Sequence, residues 1–309
     1  MTRRCVLVVL AAMMALAPGP HAQVFRAVAD AVPVDVLVTR GGAPVDGLSA
    51  DNFELRDNGV AQEILSTRLE DVPLTLMLVL DVSGSVAGQP LTDLQAAIDA
   101  AAGALSAQDQ LALITFSNDL TLEARATNRF ADVRTAARQI EARGATALYD
   151  ATMAALAMRT QVDGRALVLL FSDGADTVSW IDPRTVLDSA RRSDVVVYGV
   201  ARRDQTARES AAAVRRLGQE RLWFLQDPWS YGRQFLPLLA EATGGALLTA
   251  ERTNQLRETF VRAVREFKSR YVLLYRPQGV APGGFHDIDV RLKGTSGDVQ
   301  ARRGYLRGQ

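Results

Sequence analysis

The sequence predicts an α/β fold: a doubly wound, mostly parallel sheet inserted in a small β-sandwich formed by strands from the two ends of the chain. Three observations predict it. The run LTLMLVL starting at Leu74 and the run at 166–171 are apolar throughout and of strand length, as strands buried on both faces of a helix-covered parallel sheet are. Between residues 74 and 268 such runs alternate with helical patterns, which implies βαβ units. Residues 32–69 and those from 271 onward alternate apolar and polar positions between Gly, Pro and Asn-Gly breaks. Each terminal set is too small for a stable sheet with one face buried, and pairing the two sets is the simplest way to cover both.

Taken in order, residues 1–22 read as a secretory signal peptide. Arg3 and Arg4 form a basic start, residues 5–17 are apolar, and Ala22 offers a cleavage position. The apolar part is short beside the roughly 17–25 residues that span a bilayer. The expectation is an exported protein, periplasmic or extracellular, without a transmembrane segment once the signal is removed; an uncleaved anchor is the alternative. Cys5, the single cysteine, lies in this stretch, so the mature chain would lack disulfides, thiolate catalysis and cysteine-bound zinc.

Residues 23–72 read as the N-terminal half of the sandwich, with Asn58-Gly59 as a hairpin turn. Residues 73–269 read as the α/β domain. Pro90 opens a helix with Leu91, Leu94, Ile98 and Leu105 on one face, a strand follows at 111–116 and an edge strand at 120–126. Helices are expected at 130–141 and 148–158, strands at 166–171 and 195–200, and a helix capped by Asp182 and opened by Pro183. A long insertion before Leu236 carries Trp223, Phe224, Trp229 and Tyr231. These aromatics are candidate partner contacts, because the insertion leaves the carboxyl end of a strand; packing onto their own core is the other reading. A strand at 246–250 and a helix bearing Leu256, Phe260, Val264 and Phe267 close the domain. Residues 270–309 supply YVLLYRP, FHDIDVRL and VQARRGYL as the second half of the sandwich.

The chain has 309 residues, 48% hydrophobic and 23% charged, enough for one large and one small domain. Thirty-five basic residues balance 35 acidic ones, so no global field favours nucleic acid. His286, the one histidine after the signal, sits in the strand-rich tail and reads as a surface or turn residue. Ser-His-Asp catalysis therefore has no support.

Chemistry concentrates at strand ends. Asp81-Val-Ser83-Gly-Ser85 ends the first buried strand, Phe171-Ser-Asp173-Gly174 ends another, and Gly144-Ala-Thr146 lies in a loop between them. In open α/β sheets ligands bind beyond the carboxyl ends of strands. Two carboxylates and three hydroxyls are hard oxygen donors, suited to Mg2+, Mn2+ or Ca2+ and not to copper or zinc. Neutral hydroxyls add little charge, so a bound cation would seek one more anionic oxygen from outside.

In this order the motifs resemble the metal-ion-dependent adhesion site of the von Willebrand factor A domain, Asp-x-Ser-x-Ser…Thr…Asp, over roughly residues 74–268. The resemblance implies that fold, which is Rossmann-like, and a metal held by Asp81, Ser83, Ser85, Thr146 and Asp173. In the family the hydroxyls ligate directly or switch into doing so, the aspartates act largely through water, and a partner carboxylate completes the coordination. The flanking PVDGLSADNFELRDNG and the Tyr-x-x-x-Tyr-Arg-Pro strand resemble a secreted bacterial subfamily. The expected function is an exported, metal-dependent protein-binding or adhesion module whose partner presents an Asp or Glu carboxylate, and not an enzyme. The alternatives are a metal-dependent hydrolase, which needs a general base beyond the ligating aspartates, and a structural subunit with a silent metal site.

Overall fold

The computed structural model describes residues 31–68, 72–162, 164–172, 176–202 and 231–307; the expected signal peptide lies outside them. Five strands come first: β1 (Val32–Arg40), β2 (Ala43–Pro44), β3 (Phe53–Asp57), β4 (Val60–Gln62) and β5 (Ile64–Arg68). The central part holds β6 (Leu74–Asp81), α1 (Gln89–Gly103), β7 (Gln110–Phe116), β8 (Leu120–Thr127), α2 (Phe130–Ala137) and α3 (Leu148–Ala157). It continues through β9 (Arg165–Ser172), α4 (Pro183–Arg192), β10 (Val196–Arg202), α5 (Tyr231–Thr243), β11 (Leu247–Ala250) and α6 (Leu256–Lys268). Four strands close the chain: β12 (Tyr271–Tyr275), β13 (Gly284–Leu292), β14 (Asp298–Ala301) and β15 (Gly304–Arg307).

The central sheet has the order β11-β10-β9-β6-β7-β8 and is parallel except for β8, its antiparallel edge. All eight residues of β6 are buried, as its place between β9 and β7 requires. Alternate side chains go to opposite faces. Leu76, Leu78 and Leu80 pack with Leu94 and Ile98 of α1 and with Phe260 and Val264 of α6. Met77 and Val79 pack with Ala151 of α3, Val186 of α4 and Phe235 of α5. Helices on both faces make the sheet doubly wound, and each fully buried aliphatic side chain contributes about 1.5–3 kcal/mol on leaving water.

Two elements differ from the sequence expectation. Helix α2 stops at Ala137 instead of running on to residue 141. Its Ala137 carbonyl, which residue 141 would use to continue the helix, accepts Gln95 Nε2 of α1 at 3.1 Å. The chain tightens to three-residue bonds there (Gln139 N to Ala136 O, 2.9 Å) and turns Ile140 into the core. VQARRGYL is not one strand: β14 pairs with β1 and β15 with β13, and the chain crosses between their sheets at Arg302-Arg303.

The terminal segments pair with each other. One sheet runs β14-β1-β12-β5, with β2 on β1, and another runs β15-β13-β3-β4. Asn58 (φ 48°) and Gly59 (φ 80°) turn β3 into β4 with the two positive φ values of a type I′ hairpin. Val34, Val36 and Val38 of β1, Phe53 and Leu55 of β3, Tyr271 and Leu273 of β12 and Ile288 of β13 share one core. This unit meets the amino ends of the parallel strands. Arg165, paired in register with Leu74, bonds Asp35 of β1 and stacks over the Phe267 ring at 4.3 Å. Asp81 closes β6 at the opposite end. Beside Leu74, Asp109 accepts from the Leu74 amide at 3.0 Å and from Lys268. Burial pushes its carboxyl up, but Lys268 and the Ser106 and Leu74 amides outweigh that and hold it below the usual range.

His286 is a correction. It is fully buried between the two terminal sheets, with Nδ1 at 2.8 and 3.0 Å from the oxygens of Asp57, itself fully buried. Tyr275 donates to the same carboxylate at 2.8 Å, and the Tyr305 ring stacks on the imidazole at 4.8 Å. Burial, then the Tyr305 and Asp57 hydrogen bonds, hold the Tyr275 hydroxyl far above its ordinary range, so it stays a donor. The physical reason is strand alternation: Phe285 and Asp287 face out, so His286 and Ile288 face in.

Candidate metal centre

The apolar strand β6 ends where a carboxylate becomes useful. Asp81 is fully buried, and both of its oxygens are engaged: Oδ1 accepts from the Ser83 amide at 2.9 Å and Oδ2 from Ser172 Oγ at 2.7 Å. The carboxylate is thereby fixed in orientation across two neighbouring strand ends. Ser83 is buried, Ser85 is exposed on the short turn Gly84–Val86, and their hydroxyl oxygens lie 3.0 Å apart.

Thr146 belongs to a second loop that backbone bonds tie to the first. Gly84 N donates to Gly144 O at 3.0 Å, and Arg143 N to Val82 O at 2.8 Å. Gly144 has φ +81°, and a Cβ there would lie 2.5 Å from Asn118 Oδ1, the atom that accepts the Ala145 amide. Glycine is the residue that admits both the conformation and the approach. Thr146 is buried; its amide donates to Thr177 Oγ1 at 3.0 Å, and its carbonyl accepts from Thr177 N at 2.9 Å.

The segment after β9 is stapled to the first turn of α3. Asp176 and Ser179 accept the Tyr149 amide at 3.2 and 3.1 Å, and Asp150 accepts the Trp180 and Ile181 amides at 3.0 and 2.9 Å. Burial, then Asp176 and Asp182, push the Tyr149 hydroxyl up to about 12, so it is neutral at physiological pH.

The structure thus brings Asp81, Ser83 and Ser85 together and ties the Thr146 loop to them. Asp173 lies outside the described residues, directly after Ser172. Trp223, Phe224 and Trp229 also lie outside them, and Tyr231 opens α5. Among the described residues no group of three or more His, Cys, Asp or Glu is placed to hold a metal. The donors gathered here are hydroxyls and one described carboxylate. Sequence reasoning missed Ser172, Asn118, Asp150, Asp176 and Thr177. Only Ser172 carried a signal, as the residue before Asp173 in the strand-end motif; the others act through loop contacts distant in sequence.

Known proteins agree with this architecture. A family model for the von Willebrand factor type A domain matches residues 76–175. Inter-alpha-trypsin inhibitor heavy chain H4 is similar over 159 residues, 24% identical in Bos taurus and 28% in Homo sapiens. Either match covers 47% of this chain and 17% of the relative, so the chain spans a minor part of the length of those curated proteins. The solved von Willebrand factor type A structure from Catenulispora acidiphila superposes with a TM-score of 0.52 at 11% identity, covering 88% of this chain and 76% of its own.

Proposed function

We propose, for a chain whose central α/β part is a von Willebrand factor type A domain, that the carboxyl end of β6 holds a divalent cation and through it recognises an acidic residue of a protein partner. The observation that carries this reading is the end of β6: a fully buried, doubly bonded Asp81 behind two hydroxyl oxygens 3.0 Å apart. The donor set fits a hard cation, Mg2+ first, with Mn2+ or Ca2+ as substitutes. Ser83, Ser85 and Thr146 would hold it directly, with Asp81 and Asp173 acting through water. When bound, the cation supplies positive charge that a partner carboxylate neutralises. The chain's own part is positioning: Ser172 and the Ser83 amide orient Asp81, and the Gly84–Gly144 bond ties the Thr146 loop to the serine turn.

We read the role as binding rather than hydrolysis, because the described histidine is not available at this face as a general base. His286, the histidine of the described residues, sits with Asp57 in the terminal sheets, beyond the amino ends of the strands whose carboxyl ends carry Asp81. Mg2+ at a hundred times its dissociation constant should stabilise the chain by about 2.7 kcal/mol, a melting shift of roughly 5–10 °C. Ser85→Ala and Asp173→Ala should shrink or abolish that shift while the metal-free proteins melt with the wild type. A wild type that ignores millimolar Mg2+ and Mn2+ would sink the reading.

The basic-apolar leader supports export, with the terminal sheets, read as one β-sandwich, carrying the domain and leaving its metal face free. No helix of the described residues is long and apolar enough to cross a membrane. Cell fractionation should recover a form lacking about the first 22 residues outside the cytoplasm. A final form that is full-length and cytosolic contradicts export.

A further inference from the structure

We infer that Trp180 is the apolar half of the same recognition face: the partner segment carries an acidic residue and, close by, a large apolar side chain that packs on this indole. The inference rests on the metal-centre reading above and adds a residue to it.

Trp180 is 95% exposed, whereas the next most exposed large apolar side chain among the described residues, Leu65, is at 46%. An indole offers roughly 150–250 Å² of burial, and one left in water contributes little to its own fold. The backbone beneath it is nevertheless held firmly. Asp150 accepts the amides of Trp180 and Ile181, Ser179 Oγ accepts the Tyr149 and Asp150 amides, and Ile181 packs into the core beneath. The segment therefore anchors Ile181 inward and projects Trp180 outward on a fixed base. A binding side chain on a fixed base loses less entropy when a partner docks.

The position points to the proposed site. Thr177 and Val178, two or three residues before Trp180, donate to the Thr146 carbonyl at 2.9 and 3.3 Å, and Val178 is itself 41% exposed. The carboxylates of Asp150 and Asp176 are occupied by amides of this segment and of α3, so they serve to brace the segment. Val178 and Trp180 give the segment an apolar outward surface next to the exposed Thr177. Tryptophan is over-represented among residues that dominate interface energy. A partner seated on the Ser83–Ser85–Thr146 face thus meets an oxygen-rich centre flanked by an apolar anchor.

The test pans a library of random peptides with one fixed central aspartate against the full chain in Mg2+. Selected peptides should share an aromatic or aliphatic residue at one spacing from the aspartate, and EDTA should release them. Trp180→Ala should weaken those peptides about 30-fold or more, as losing a main interface anchor does, with an unchanged melting temperature and Mg2+ shift. Trp180→Phe should lose less than about tenfold. EDTA-sensitive peptides that bind Trp180→Ala as tightly as wild type overturn this inference and leave the metal reading standing. A selection with no EDTA-sensitive binder overturns both. If Trp180→Ala instead abolishes self-association or binding to anionic phospholipid vesicles, without an apolar preference in the peptides, the indole serves a second copy or a membrane and the inference falls.

Discussion

A chain lacking residues 271–309 is expected to aggregate, with residues 32–68 losing their protection from hydrogen exchange. The deletion takes β12 and β14 from the two sides of β1, β12 from β5, and β13 from β3. Val34, Val36, Val38, Phe53 and Leu55, each at most 1% exposed, would lose most of the core that covers them. At about 1.5–3 kcal/mol per side chain the loss is roughly 7–15 kcal/mol, as large as the net stability of a typical domain. The unpaired edges of β1 and β3 would then be open to other chains. The central sheet keeps both of its own cores, so the damage should be confined to the N-terminal strands. Size-exclusion chromatography with hydrogen exchange checks this. A soluble truncation whose β1 amides are as protected as in the full chain would show that the two ends do not depend on each other.

Asp57→Ala should cost about 3–5 kcal/mol, read as a lower midpoint in urea unfolding. The carboxylate is the shared acceptor of a buried cluster that joins both terminal sheets: His286 from β13, Tyr275 from β12 and Tyr305 from β15. Its removal takes the acceptor from His286 Nδ1, leaves the Tyr275 hydroxyl only Tyr305 Oη at 3.2 Å, and opens a cavity besides. A double-mutant cycle with His286→Ala should give a coupling of about 1–3 kcal/mol. A single-variant cost below about 1 kcal/mol would mean the cluster is incidental to the pairing of the sheets.

The same cluster marks where sequence reasoning stopped short. FELRD and FHDIDVRL both alternate, and the alternation puts Asp57 and His286 at inward positions, a signal that the reading of His286 as a surface or turn residue passed over. A polar residue at an inward position carries no sign of its partner, however, and Asp57 and His286 stand 229 residues apart. The Asn58-Gly59 turn was legible because its chemistry is local: positive φ at two consecutive positions selects those residues. The end of helix α2 was not, because the group that meets its last carbonyl, Gln95 of α1, comes from another helix.

The sequence by itself determined the alternation of strands and helices, the central place of β6, and the Asp81-Ser83-Ser85 end of that strand, since apolar periodicity and strand-end polarity are properties of short windows. Tertiary structure alone decided what lies across those windows: which strand of one terminal set pairs with which strand of the other, the crossing at Arg302-Arg303, and the bracing of Asp81 by Ser172. It also decided the exposure of Trp180, on a base built from Asp150 and Ser179. These depend on contacts between distant residues, and the energy of such a contact exists only once the chain has brought its two halves together.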